Sequence, residues 1–188
     1  MTEWIDDGVM VWLGEVPGDD ETVLVFFKGV GAAAMREGLI AQHRPPFAHG
    51  EENPPGEWGA VVHHLHHPAR GEFGDTDYRR LCPPGAELVV FVPNPCLAKG
   101  HGPQMYHYRD GEAVSCVDYE DPEQAGEYWP NELAPFIAAA GIDYENENYD
   151  RRLTRLICDH LGLPELERGA VAVDRDLIAS YFQDTPAV

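Results

Sequence analysis

Hydrophobic and polar positions along the chain are mostly strand-like in its first part, with one short helical interruption, and helix-like in its second. Residues 9–16 and 22–28 are dense in β-branched and aromatic side chains, and Pro17, Gly18, Asp19 and Asp20 between them supply turn chemistry. The pattern predicts an opening hairpin. Ala32 to Ile40 combines high helix propensity with apolar positions at Met35, Leu39 and Ile40, which predicts a short helix. From residue 43 to 57 Pro, Gly and acids dominate, the composition of a loop. A third strand is expected from Trp58 through His67, stopping at Pro68. Ala86 to Pro93, introduced by Pro83, Pro84 and Gly85, is almost wholly apolar and reads as a central strand buried on both faces. Residues 104–108 and 112–118 flank Arg109, Asp110 and Gly111, and this Asp-Gly pair is the strongest hairpin signal in the chain.

Helical spacing takes over after residue 130. Pro130 opens a predicted helix running to Ala140, with Leu133, Phe136, Ile137 and Ala140 on one side and Gly141 after it. Asn148 to Leu161 places Tyr149, Leu153, Leu156, Ile157 and His160 on one face before Gly162. Asp174 can cap a last helix whose stripe is Leu177, Ile178, Tyr181 and Phe182. Strands first and helices last predict an α+β fold: a single domain over 1–188 with a mostly antiparallel sheet of five or six strands. Two or three C-terminal helices, within 130–182, are expected to cover one face of that sheet.

Charge changes the functional picture more than the fold. Asp and Glu outnumber Lys and Arg by 33 to 13, a net −20, and only Lys28 and Lys99 are lysines. The field of such a surface repels nucleic acid and anionic lipid and attracts basic proteins, so neither direct nucleic-acid binding nor membrane binding is expected. Solubility and adaptation to high salt are the plain alternatives, but salt adaptation favours acids spread over the whole surface. Here seven acids and no Lys or Arg lie in residues 1–21, and eleven acids and no Lys or Arg lie between Glu112 and Asp150. No apolar run approaches a membrane span and residues 1–7 lack a signal-peptide pattern, so a cytoplasmic protein is expected. Cys82, Cys96, Cys116 and Cys158 are widely spaced, with no Cys-x-x-Cys pair, and read as small buried apolar residues.

Within the acid-rich stretch aromatic rings alternate with carboxylates, a mixture that offers cation-π faces and ion-pair partners to Arg or Lys. The candidate partner-binding set is Asp118, Tyr119, Glu120, Asp121, Glu123, Glu127, Tyr128, Asp143, Tyr144, Glu145 and Glu147. Trp129 and Tyr149 read rather as core anchors at helix starts. The run His63 to His67 is the other candidate. On a strand His64 and His66 share a face, and His-x-His lets two imidazoles reach one divalent metal, with Glu72, His101 or His107 completing the ligands. The cupin pattern is close but one residue too long between His66 and Glu72. A solvated strand end that titrates near pH 6 to 7 is the alternative reading. Ser115 and Ser180 lack a nucleophile elbow, and Gly29-Val30-Gly31 lacks the rest of a phosphate loop, so neither nucleophilic catalysis nor phosphate binding is favoured.

Phe27-Lys28-Gly29-Val30, Glu57-Trp58-Gly59-Ala60-Val61-Val62, Pro84-Gly85-Ala86-Glu87 with the apolar run after it, Tyr106-His107-Tyr108-Arg109-Asp110-Gly111, and Gly126 before Pro130-Asn131-Glu132-Leu133 form a recurring order of motifs. In that order the chain resembles an uncharacterised family of bacterial domains of unknown function, over roughly residues 9 to 182. The resemblance implies a compact α+β domain and brings no functional residues to carry over. The leading expectation is therefore a non-enzymatic binding protein of the immunity or inhibitor type that neutralises a basic protein partner. A small cupin-like metal-dependent enzyme and a nucleic-acid mimic that blocks a DNA-binding protein are the alternatives.

Overall fold

The computed structural model describes residues 22–49, 54, 56–64, 76–92, 103–120, 130–146, 148–164 and 172–173. The predicted strand at 9–16 and the helix after Asp174 lie outside them. Element order is β1 (Thr22–Lys28), α1 (Ala32–Ala41), β2 (Pro46–His49), β3 (Gly59–His64), α2 (Tyr78–Leu81), β4 (Glu87–Val92), β5 (Gln104–Arg109), β6 (Glu112–Asp118), α3 (Ala134–Ala139), α4 (Tyr149–Leu161) and β7 (Ala172–Val173). The strands form one antiparallel sheet in the order β6-β5-β4-β1-β3-β2-β7. This is an α+β layout with C-terminal helices on one face. The opposite face is covered as well, by α1 and α2.

Side-chain alternation builds these two layers. From β1, Leu24 and Phe26 enter one core with Val62, Val89, Phe91, Met105 and Val117, under Leu133 and Ile137 of the α3 segment and Leu153 and Ile157 of α4. Val23, Val25 and Phe27 enter the other, with Val61, Leu88 and Val90, under Met35 and Leu39 of α1 and Tyr78 and Leu81 of α2. Burial on both faces explains why β1 and β4 read as unbroken apolar runs. The middle position belongs to β1, with β4 beside it. Each wholly buried side chain of this kind contributes about 1.5–3 kcal/mol from area removed from water.

Several local departures from the pattern have identifiable causes. Residues 46–49, read as loop, form β2, because a Pro at the first position of a strand removes no ladder donor that β3 requires. The helix expected from Pro130 begins only at Ala134. Residues 130–132 are instead drawn into the sheet, with Cys116 N–H donating to the Pro130 carbonyl (3.1 Å) and Glu132 N–H to the Val114 carbonyl (3.0 Å). The Asp-Gly hairpin forms as expected, with positive φ at both Asp110 (53°) and Gly111 (81°). Its turn is tied back to the start of β4, since Asp110 N–H donates to the Ala86 carbonyl and Gly85 N–H to Asp110 Oδ1. At Gly29 (φ 77°) any Cβ would collide with the Gly85 carbonyl, so only glycine lets β1 leave the sheet this close to the β4 entry.

Candidate functional site

β3 lies between β1 and β2, and that interior position decides what its histidines are. His63 is fully buried and His64 is 4% exposed, their side chains entering opposite layers because successive strand residues alternate. Burial lowers both imidazoles to about 4, so both are neutral at physiological pH and neither is a solvated, pH-responsive strand end. The His63 ring is fixed at both nitrogens. Nδ1 is 2.8 Å from the His64 carbonyl, which only accepts, so Nδ1 carries the hydrogen; Nε2, 2.8 Å from Tyr78 Oη, accepts from that hydroxyl.

The proposed metal ligands do not assemble among the described residues. His107 lies level with Val89, Phe26 and Ala60 across the sheet, whereas His64 is four residues further along β3. Three strand spacings and four residue rises separate them by about 14 Å in one direction and about 13 Å in the other. One ion cannot bind both. His66, Glu72 and His101 lie outside the described residues, and among those described no group of three or more His, Cys, Asp or Glu is arranged to hold a metal.

His107 has a different neighbour that spacing along the chain conceals. A β-bulge between His107 and Tyr108 shifts the β5–β6 register and sets His107 directly opposite Ser115. Both are buried, at 1% and 0% exposure, and neither His107 Nε2 nor Ser115 Oγ has a hydrogen-bond partner among the described residues. Burial lowers the His107 pKa, partly countered by Glu87 and Glu132. Atoms enclosed to this degree cannot meet a substrate, so the pair is not placed to act as a nucleophile and its base. The three described cysteines are equally inert: burial raises Cys82, lifts Cys116 to about 11 and Cys158 to about 12, and Cys96 lies outside the described residues.

The acid-rich candidates converge better. Asp118, ending β6, accepts from Gln104 Nε2 (3.1 Å) and from Glu120 N–H (2.9 Å). Tyr149, opening α4, donates its hydroxyl to the Tyr119 carbonyl. This contact joins the 118–120 segment to the 143–150 segment, thirty residues away in sequence. Burial raises the Tyr149 pKa, and the carboxylates of Asp150, Glu120 and Asp118 raise it further, which marks them as its electrostatic neighbours. Asp143 and Asn146 each accept a backbone N–H two residues on, shaping the loop that carries Tyr144. Tyr144 meets Tyr149 edge to face at 5.9 Å. Glu120, Asp143 and Glu145 are exposed.

Tyr119 does not belong to that surface. It is 6% exposed, its ring lies in the α3/α4 core, and its hydroxyl shares a 2.7 Å hydrogen bond with Thr154 Oγ1. A ring spent in this way offers no cation-π face. Tyr149 takes the place expected of Tyr119, although spacing alone assigns it to the core. Asp121, Glu123, Glu127, Tyr128 and Glu147 lie outside the described residues. Elsewhere three carboxylates are matched by arginine: Arg109 bridges Glu87 (3.1 Å) and Glu132 (3.0 Å), and Arg80 pairs with Asp77 (3.1 Å).

Among the described residues no helix is long and apolar enough to cross a membrane. No protein-family model, no curated protein and no solved structure matches the chain at a significant level.

Proposed function

We propose that the protein is a non-enzymatic binding protein of the immunity or inhibitor type, which receives a basic protein partner on the edge formed by the end of β6 and the start of α4. The observation that carries this reading is the Tyr149–Tyr119 hydrogen bond, because it gathers Asp118, Glu120 and Asp150 around one half-buried phenol. Carboxylates fixed by backbone and amide donors lose little side-chain entropy when they meet a cation. Tyr144 and Tyr149 beside them offer ring faces suited to guanidinium groups. Opposite charge would speed encounter and weaken with salt.

The test is affinity capture from the native lysate at low salt, with the wild type and an Asp118→Asn/Glu120→Gln/Asp143→Asn/Glu145→Gln variant. A basic protein held by the wild type, lost at 0.5 M salt in the manner expected of roughly 4 Å Debye screening and lost in the variant, supports the reading. Captured proteins that are the same for both chains and at both salt concentrations refute it. A captured partner whose DNA-binding surface is the one covered would move the reading to nucleic-acid mimicry. Stoichiometric metal in protein purified without a tag would move it to the metal-dependent enzyme.

A further inference from the structure

We infer that the outer edge of β6 is a strand-addition site, held by residues 130–132 until an extended basic segment of the partner displaces them. The inference rests on the reading of the β6–α4 edge as the partner's seat. β6 ends the sheet order, so one side of its backbone faces no further strand. Residues 130–132 cross that side as a strap, antiparallel to β6 and pairing at one position, Asn131 with Ser115. Two backbone hydrogen bonds flank the pair: Cys116 N–H donates to the Pro130 carbonyl (3.1 Å) and Glu132 N–H to the Val114 carbonyl (3.0 Å).

The strap fits β6 imperfectly, and the misfit is chemical. In an antiparallel ladder a residue that sends its N–H outward also turns its carbonyl outward, so the Cys116 carbonyl requires a donor from the residue opposite. That residue is Pro130, which has no N–H. Among the described residues nothing else donates to this carbonyl, although Cys116 is only 4% exposed. Asp118 faces outward too, because the next residue, Tyr119, donates its N–H to Pro103 on the β5 side (2.9 Å). No described residue accepts from the Asp118 N–H. A strand that replaces the strap remakes both of its bonds and adds the one that Pro130 cannot make, with Asp118 as a further pairing position.

The other holds on the strap are ones that a cation loosens. Glu132 is tied to Arg109 (3.0 Å), with both side chains largely in water, so the pair contributes little and a basic residue of the partner competes for the same carboxylate. Asn131 Oδ1 accepts from Leu133 N–H (3.1 Å), and Leu133 is buried. The strap can therefore swing away about Leu133 without drawing α3 out of its core. Asp118 shares a face of the sheet with Cys116. The occupant that fits is an extended segment with Arg or Lys opposite Asp118 and, two residues on, an apolar residue other than proline opposite Cys116.

Amide hydrogen exchange and ¹⁵N–¹H shifts of the full chain test this with two peptides in excess. One is acetyl-Lys-Arg-Val-Val-Thr-Lys-amide; the other is N-methylated at its second valine, which keeps the charge and repeats the defect of Pro130. With the first, Glu132 N–H should lose protection, Asp118 N–H should gain it and Cys116 N–H should keep its own. The N-methyl peptide should bind more weakly by about tenfold, the equivalent of one backbone hydrogen bond, and leave Glu132 protected. Pro130→Ala gives the strap its missing N–H and should weaken binding of the first peptide by about the same factor. Equal binding of the two peptides, binding that leaves Glu132 protected, no binding of the first peptide, or a Pro130→Ala chain that folds and binds as the wild type does each overturns the inference. If Pro130→Ala does not fold, the two peptides decide alone. Equal, salt-sensitive binding of both peptides by a chain that still captures its basic protein removes strand addition and leaves the partner reading; strap exchange with the first peptide in a chain that captures no basic protein refutes the partner reading and not the site.

Discussion

Replacing Thr154 by Val should destabilise the fold more than replacing its partner Tyr119 by Phe, although each removes one hydroxyl from the same 2.7 Å hydrogen bond. Both residues are buried, at 7% and 6% exposure, so neither remaining hydroxyl can turn to water. In Thr154→Val the Tyr119 hydroxyl is stranded at the end of a rigid ring in the α3/α4 core. The cost is that of an unsatisfied buried group, about 1–3 kcal/mol. In Tyr119→Phe the Thr154 hydroxyl sits on α4 and can rotate to the carbonyl one turn back, so only the net worth of the bond is lost, about 0.5–1.5 kcal/mol. The double variant leaves nothing stranded, and should cost less than the sum of the single changes by roughly 1 kcal/mol. Urea unfolding reads this as shifts in midpoint at constant m. A Thr154→Val variant as stable as the wild type, or strict additivity, would refute the placement of Tyr119 in the core and return its ring to the surface.

Other outcomes follow from the same geometry. Ser115→Ala should leave stability unchanged or raise it by about 1 kcal/mol in thermal or urea unfolding, because the lost hydroxyl has no partner among the described residues; a clear loss would show that the hydroxyl is in use. His64 enters the α3/α4 layer and is held to about 4, so on acidification the unfolded chain takes its proton first and stability falls as pH drops from 6.5 toward 4. Between pH 6.5 and 5 the slope of unfolding free energy should be shallower in His64→Leu, by up to about 1.4 kcal/mol per pH unit. Gly29→Ala should cost more than about 1 kcal/mol in the same assay, since it meets both a positive φ and the Gly85 carbonyl.

The parts of the fold that could be read from sequence are those whose cause is local. Asp110-Gly111 specifies its own turn, α4 carries an apolar stripe ended by Gly162, and β4 announces burial on both faces through its unbroken apolar run. What escaped depends on distant partners. α2 is too short to show a period, and β2 is hidden by prolines that only its place beside β3 makes tolerable. A two-residue hairpin loop in regular register sets Tyr106 opposite Ser115; the bulge replaces it with His107, and no local signal marks that slip. The histidines were misleading for a related reason. A run of imidazoles looks solvated until β1 and β2 close over β3 from either side. Tyr119 and Tyr149 share the same acid-rich composition, and only tertiary packing sends one ring inward and leaves the other at the acidic edge.

The central place of β1 also sets the order in which this chain can fold. Lys28 pairs with Glu87 and Leu24 with Phe91, 59 and 67 residues downstream, while β5 and β6 need only a two-residue turn. The hairpin can close within microseconds, but the strand on which both cores are built must wait for contacts roughly sixty residues downstream. At ribosomal rates of roughly 5–20 residues per second, β1 waits about 3 to 13 s for β4 to be made. During that interval Val23-Leu24-Val25-Phe26-Phe27, uncharged and strongly β-forming, has no completed ladder on the β4 side. Nascent chains arrested before residue 87 should accordingly be cleaved by protease within this segment and capture chaperones, and chains released after residue 118 should not. The same residues that make β1 the keystone of the finished sheet make it the segment most exposed to misassociation on the way there.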